Sequence, residues 1–221
     1  MTDLGPLADR TFAAVIFDMD GTLIDSTPAV MRSWRTWAVE HGITPEDLLF
    51  HHGVPAAGVV AAVLPDHQYD SALARINELE LADLEEIALM PGAREALDAV
   101  VAAPHAIATS CTRPLAAARL RLSGIVAPDV LVTADDVERG KPNPDPFLAA
   151  ARGLGIDPAD CLVIEDAPAG VQAARSAGCA ALAVATTVDA DDLAAADLVI
   201  SDLSAVRLVP TDGRIRIESA S

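Results

Sequence analysis

The sequence predicts an α/β protein: a doubly wound parallel sheet interrupted by an inserted block of helices. Two observations predict it. Short apolar runs, among them Phe12-Ala13-Ala14-Val15-Ile16-Phe17, His105-Ala106-Ile107-Ala108 and Cys161-Leu162-Val163-Ile164, alternate with helix-length segments. That is the pattern of strands buried on both faces and joined by crossover helices. Between about residues 45 and 86 the alternation lapses into helical stretches without a strand signal, which marks an insertion.

Taken in order, residues 12–17 form the first strand, and Asp18 stands at its carboxyl end. A helix over Pro28 to His41 follows, begun by Ser26 or Thr27, with Pro28 suited to a first turn and Gly42 suited to a stop. Helical stretches at about 45–50, 55–63 and 66–86 make up the insertion. The alternation then resumes. A helix over Gly92 to Ala103 precedes strand 105–108, and a helix from near Pro114 to Leu122 precedes a short strand, Val130-Leu131-Val132. Helix 144–152, strand 161–164, helix 168–177, strand 180–184, a short helix from about Asp189 and strand 197–200 complete the pattern. Thr211-Asp212-Gly213-Arg214 reads as the turn of a C-terminal hairpin.

Composition narrows the function. With 221 residues, 52 % of them hydrophobic and only 3 % aromatic, the chain can build one large domain packed with Ala, Val and Leu. Its formal net charge of −18 opposes nucleic acid or an anionic membrane as partner. A small phosphorylated metabolite stays compatible, because a metal ion and a few basic residues set the local field. Cys111, Cys161 and Cys179 are odd in number and lack metal-ligand spacing, so a reduced, cytoplasmic setting is expected. Met1 to Arg10 has no apolar run suited to a signal peptide, and no uncharged stretch approaches membrane-spanning length. Oligomeric state leaves no signature in the sequence.

Four segments carry chemistry. Asp18-Met19-Asp20-Gly21-Thr22 places two carboxylates one residue apart after a strand, with Gly21 to turn the chain. Thr109-Ser110, Lys141 in Gly140-Lys141-Pro142-Asn143-Pro144, and Glu165-Asp166 follow later. In an open α/β sheet the carboxyl ends of strands are where ligands bind. Lys141 is the only lysine among 15 basic residues. A compact ammonium kept at one place in so Arg-rich a chain suggests a position where a planar guanidinium does not substitute.

In order and spacing these segments resemble the haloacid dehalogenase-like hydrolases, and Phe17-Asp18-Met19-Asp20-Gly21-Thr22-Leu23 is similar to the first motif of that superfamily. The resemblance implies a Rossmann-like core over 1–24 and 94–221, with a helical cap, of the type called C1, over 25–93. It also implies Mg²⁺ as cofactor, with oxygen ligands from Asp18, the Asp20 carbonyl and Asp166. Asp18 is then the nucleophile and Asp20 the general acid and base. Thr109 donates to a phosphoryl oxygen, Lys141 neutralises charge, and Glu165 holds a metal-bound water or Lys141.

Departures from the pattern sort the sub-branches. Haloacid dehalogenases generally lack the acid that is Asp20 here, and no cap lysine is available for the Schiff base of phosphonate hydrolases. β-Phosphoglucomutases are similar but usually carry a His where Val30 stands, so a mutase is the alternative to a phosphatase. Ser26-Thr27-Pro28, Trp34, His51-His52-Gly53 and Thr109-Ser110-Cys111-Thr112-Arg113-Pro114 look like the glycerol-3-phosphatase and sugar-phosphatase branch. On that likeness Ser110, Arg113 and His52 are expected to bind substrate. Trp34 and Trp37, at i, i+3 spacing, are expected in the cap core. A reading of another class, a phosphosugar-binding protein without turnover, needs a missing catalytic group, and Asp18, Asp20, Thr109, Lys141 and Asp166 are all present.

Overall fold

A computed structural model of the chain describes residues 3–44 and 53–220. The strands are β1 (Thr11–Phe12), β2 (Ala14–Phe17), β3 (Ile24–Asp25), β4 (Ala88–Leu89), β5 (His105–Ala108), β6 (Val130–Val132), β7 (Cys161–Glu165), β8 (Ala180–Val184), β9 (Leu198–Ile200), β10 (Val206–Thr211) and β11 (Arg214–Ser219). The helices are α1 (Thr27–His41), α2 (Ala56–Val63), α3 (Asp66–Ala82), α4 (Ala93–Val100), α5 (Arg113–Ser123), α6 (Asp145–Leu154) and α7 (Pro168–Ala177).

Six strands form one parallel sheet in the order β6-β5-β2-β7-β8-β9. From β2 the chain winds outward through β5 and β6, then returns to the other side of β2 to lay down β7, β8 and β9. That reversal leaves a crevice at the carboxyl ends of β2, β5 and β7, the usual ligand position in such sheets.

Alternation along each strand divides the core in two. Val15 and Phe17 of β2, with Leu162 and Ile164 of β7, face one layer that includes Ala96 of α4 and Leu115 of α5. Ala14 and Ile16, with Cys161 and Val163, face the layer containing Phe147 of α6 and Val171 of α7. A period of two on a sheet covered on both sides produces this split, and it explains why the strands read as unbroken apolar runs.

Four expectations are corrected. The run 12–17 is two strands, because Phe12 pairs with Ile215 in a three-stranded sheet with the C-terminal hairpin, whereas Ala14 pairs with Cys161 in the main sheet. The helix expected over 66–86 stops at Ala82, where the Asp83 backbone turns extended and its carboxylate accepts from Arg32 Nε at 2.7 Å and Nη2 at 2.9 Å. Gly92 precedes α4 in a left-handed conformation (φ 78°), and that helix ends at Val100. The helix expected from Asp189 is a single tight turn, Ala190–Leu193.

Where the chain leaves the parallel sheet for the helical block and where it returns, it pairs with itself: Ile24 opposes Leu89 and Asp25 opposes Ala88. Within the block, α1, α2 and α3 enclose a small cluster of Trp37, Val60, Ala72 and Ile76. The Trp37 indole donates to the Ala72 carbonyl at 2.8 Å, and Trp34 meets Trp37 edge-on at 5.2 Å. The stretch expected to be helical at 45–50, together with His51 and His52, lies outside the described residues. Among the described residues, no helix is long and apolar enough to cross a membrane.

Candidate active site

Three strand ends deliver the central groups. Asp18 follows β2, its N–H continuing the ladder onto the Ile164 carbonyl at 2.8 Å. Thr109 follows β5 and is held likewise by the Val132 carbonyl at 2.9 Å, and Glu165 is the last residue of β7. Lys141 comes from the turn before α6 and is 2 % exposed. Its ammonium donates to Asp18 Oδ1 and, at 2.7 Å, to Glu165 Oε1, while lying 5.1 Å from the Phe147 ring centroid.

Glu165 is fully committed. Besides Lys141, it accepts from the N–H groups of Asp166 and Ala167 at 2.7 Å each, the free donors that open α7. Gly170 sits one turn in, where any β-carbon would collide with the Glu165 carboxylate. Glu165 therefore serves to hold Lys141. Asp166, beside it, accepts from Thr22 at 3.3 Å and from the Thr187 hydroxyl. Gly21, at φ 86°, lies so close that a β-carbon there would strike the Asp166 carboxylate, so the turn after Asp20 requires glycine.

The electrostatics follow from crowding. Ligand oxygens of Asp18, Glu165 and Asp166 lie within 4.8 Å of one another, all buried. Burial raises Asp18 well above the usual carboxylate range, with Lys141 opposing and the two neighbouring carboxylates reinforcing. Asp166 is pushed up to about 8, first by burial and then by Glu165. Burial works to lower Lys141, but Asp18 and Glu165 outweigh it and hold the ammonium protonated. With all three carboxyl groups ionised, one ammonium leaves the site two positive charges short. An oxygen-rich donor set with that deficit fits a hard divalent cation. Glu165 is held by the Lys141 ammonium and two backbone N–H groups, whereas Asp166 accepts only from hydroxyls and, among the described residues, no hydrogen bond reaches Asp18 Oδ2, so Asp18 and Asp166 are the carboxylates best placed to ligate.

Asp20 lies apart from this cluster with a side chain 23 % exposed. Its Oδ1 accepts from Ser26 at 2.6 Å and from Arg119 Nη1 at 2.9 Å, and its Oδ2 accepts from the Cys111 thiol at 3.0 Å. Thr109 Oγ1 accepts from the Cys111 N–H at 3.1 Å, which leaves its own proton free to donate.

The expected substrate ligands are placed differently. Ser110 donates to the Gly53 carbonyl at 2.8 Å, tying β5 to the segment that enters α2. Arg113 is half exposed and turned to Asp136 at 2.5 Å and the Leu131 carbonyl at 3.4 Å, so the structure does not join it to the carboxylate cluster. His52 lies outside the described residues.

Residues 12–178 match the family described as haloacid dehalogenase-like hydrolase. The chain belongs to that family. It is 41 % identical over 197 residues to hexitol phosphatase A of Escherichia coli (strain K12), covering 86 % of this chain and 91 % of that protein. It is 33 % identical over 210 residues to glycerol-1-phosphate phosphohydrolase 1 of Saccharomyces cerevisiae, covering 88 % and 84 %. The crystal structure of a hydrolase from Pseudomonas syringae superposes with a TM-score of 0.80 at 28 % identity, covering 86 % of this chain and 94 % of that one.

Sequence reasoning missed Arg119, Glu80 and Thr187. Arg119 had a signal: it falls on the apolar stripe of its helix with Leu115 and Ala116, whereas Arg121 points outward. Thr187 follows β8 at the same sheet edge as the other groups, and position was its only clue.

Proposed function

We propose that this phosphoric monoester hydrolase acts on a small phosphorylated sugar or alcohol through an aspartyl-phosphate on Asp18. The Lys141 ammonium, buried between Asp18 and Glu165, is the observation that carries the reading. A phosphate monoester is an anion that repels an attacking carboxylate. A fixed cation beside the nucleophile both orients the Asp18 oxygen and offsets charge gathering on the phosphoryl group. Asp18 and Asp166, with the Asp20 carbonyl, would hold Mg²⁺, which when bound supplies the remaining positive charge against the phosphoryl oxygens.

Asp18 attacks phosphorus as the ester oxygen leaves, and Asp20 gives that oxygen a proton. Asp20 then takes a proton from the water that hydrolyses the aspartyl-phosphate, restoring both carboxyl groups. Thr109 donates its free proton to a phosphoryl oxygen. Residues 25–93 form a cap over this site in the proposal: Ser110 holds the Gly53 carbonyl and the Pro55 ring packs against Gly140, next to Lys141. Such a lid excludes water and selects the leaving group. The named relatives, which act on hexitol and glycerol phosphates, support the substrate class. Three free, buried cysteines support a reducing, cytoplasmic setting.

The test is phosphate release from hexitol, glycerol, pentose and hexose phosphates with Mg²⁺ or with EDTA. Metal-dependent release concentrated on a few substrates is expected. Conversion of β-glucose 1-phosphate to glucose 6-phosphate without release would instead identify a mutase, and tight binding without any turnover a binding protein.

A further inference from the structure

We infer that Arg119 is a positioning residue for Asp20, set in place by Glu80 from the helical block. The inference rests on the acid–base role proposed for Asp20. Arg119 belongs to α5 and is 2 % exposed. Its Nη1 donates to Asp20 Oδ1 at 2.9 Å and to Cys111 Sγ at 3.1 Å. On its other side Nη2 lies 3.5 Å from Glu80 Oε1, a carboxylate of α3 that is only 8 % exposed.

A buried guanidinium is unfavourable unless paired, and at this position α5 could have carried an apolar residue, as it does at Leu115 and Leu120. Two carboxylates from different parts of the chain hold the cation, the half-buried Asp20 in the catalytic turn and the buried Glu80 in the block. Nε and Nη2 make no hydrogen bond among the described residues, so Asp20 and Cys111 receive all the hydrogen bonding this guanidinium does there.

The arrangement distinguishes the two oxygens of Asp20. Among the described residues, Oδ1 takes two strong donors, Ser26 and Arg119, whereas Oδ2 takes only a thiol. A carboxyl group anchored in this way carries its transferable proton on Oδ2. As the bond from Asp18 to phosphorus forms and the ester bond breaks, that proton passes to the leaving alkoxide. Losing Arg119 frees the carboxyl group to rotate, and the proton is then delivered poorly to any leaving group that needs it.

Leaving-group dependence tests this directly, because kcat/KM reports the steps up to phosphoryl transfer. Glycerol 1-phosphate leaves as a basic alkoxide and needs the proton, whereas p-nitrophenyl phosphate leaves as a stabilised phenolate and does not. In Arg119→Met, kcat/KM on glycerol 1-phosphate should fall about a hundredfold, within the range for general acid catalysis, and on p-nitrophenyl phosphate less than about threefold. Glu80→Gln keeps shape and removes one charge of the bridge. It should show the same asymmetry at about five- to tenfold, and it carries the test alone if Arg119→Met does not fold. Affinity for inorganic phosphate, read by calorimetry, should change little in either variant. Equal losses on both substrates, or no loss on either, would overturn the inference while leaving the phosphatase reading intact. Absence of wild-type turnover on both substrates would overturn that reading and the inference with it.

Discussion

The carboxyl edge of the parallel sheet and the surface of the helical block use the same residue types to opposite effect. At the sheet edge Asp18, Lys141, Glu165 and Asp166 are each no more than 5 % exposed and bonded within one cluster. On the block, Arg32 pairs with Asp83 and Glu86, and Arg75 with Glu40 and Glu78, in ion pairs open to water. Buried charges cost solvation, and removing one partner strands the other; exposed pairs are screened and contribute little. The cluster thus carries a solvation cost that the proposed chemistry accounts for, while the exposed pairs add little to stability.

The sharpest way to break this contrast is at Asp18, the nucleophile of the proposed mechanism. Asp18→Asn should lower kcat/KM by at least about 10⁴-fold while the protein stays folded, read by phosphate release and circular dichroism. Lys141→Arg keeps the charge but replaces a point donor with a wide planar fork between Asp18 and Glu165. A loss of about 10²- to 10³-fold is expected, and full activity would show that charge alone suffices there.

In the block the expected losses are of stability. Trp37→Ala removes the largest side chain of the cluster it forms with Val60, Ala72 and Ile76, and its bond to the Ala72 carbonyl. It should cost about 3 kcal/mol or more, with thermal unfolding as the measure. KM should rise more than kcat falls, because the chemical groups lie on other elements.

A pH dependence follows from the crowded carboxylates. Asp166 titrates at about 8 in the folded, metal-free protein against an ordinary value of 3.8. The native state therefore holds a proton that the unfolded chain gives up, so this group's contribution is fully favourable below about pH 4 and is lost as pH rises towards 8. Asp18 is raised too and acts in the same direction. Metal-free protein should lose Tm across that window. Asp166→Asn should flatten the loss, and Mg²⁺ should restore Tm by binding the ionised carboxylates. A metal-free Tm that climbs equally in wild type and variant would contradict the charge deficit. Arg32→Ala, the smallest effect expected, should leave activity unchanged and lower Tm only slightly, since Glu86 is solvated and Asp83 is still 24 % exposed.

What could be read in the sequence divides along the same line. The parallel strands were legible because burial on both faces leaves continuous apolar runs, and β5, β6 and β8 have the expected bounds. Asp18, Lys141 and Glu165 were legible because strand ends and a lone lysine are local signals. The break at Ala13 was not, because it depends on Phe12 pairing with Ile215, two hundred residues away. Nor was the early end of α3, which a distant Arg32 fixes by holding Asp83. Ser110 was expected at the substrate from its neighbours in sequence, and nothing in those neighbours announced that its hydroxyl donates to the Gly53 carbonyl. Arg119 shows the general limit: a charge on an apolar stripe announces a buried partner without naming it.

The central claim is that Asp18 becomes covalently phosphorylated. Enzyme quenched during turnover and treated with borohydride, which reduces an acyl phosphate to an alcohol, tests it by peptide mass. The account predicts conversion of Asp18 to homoserine, dependent on substrate. Sustained turnover with Asp18 unlabelled, or the label on another residue, would contradict it.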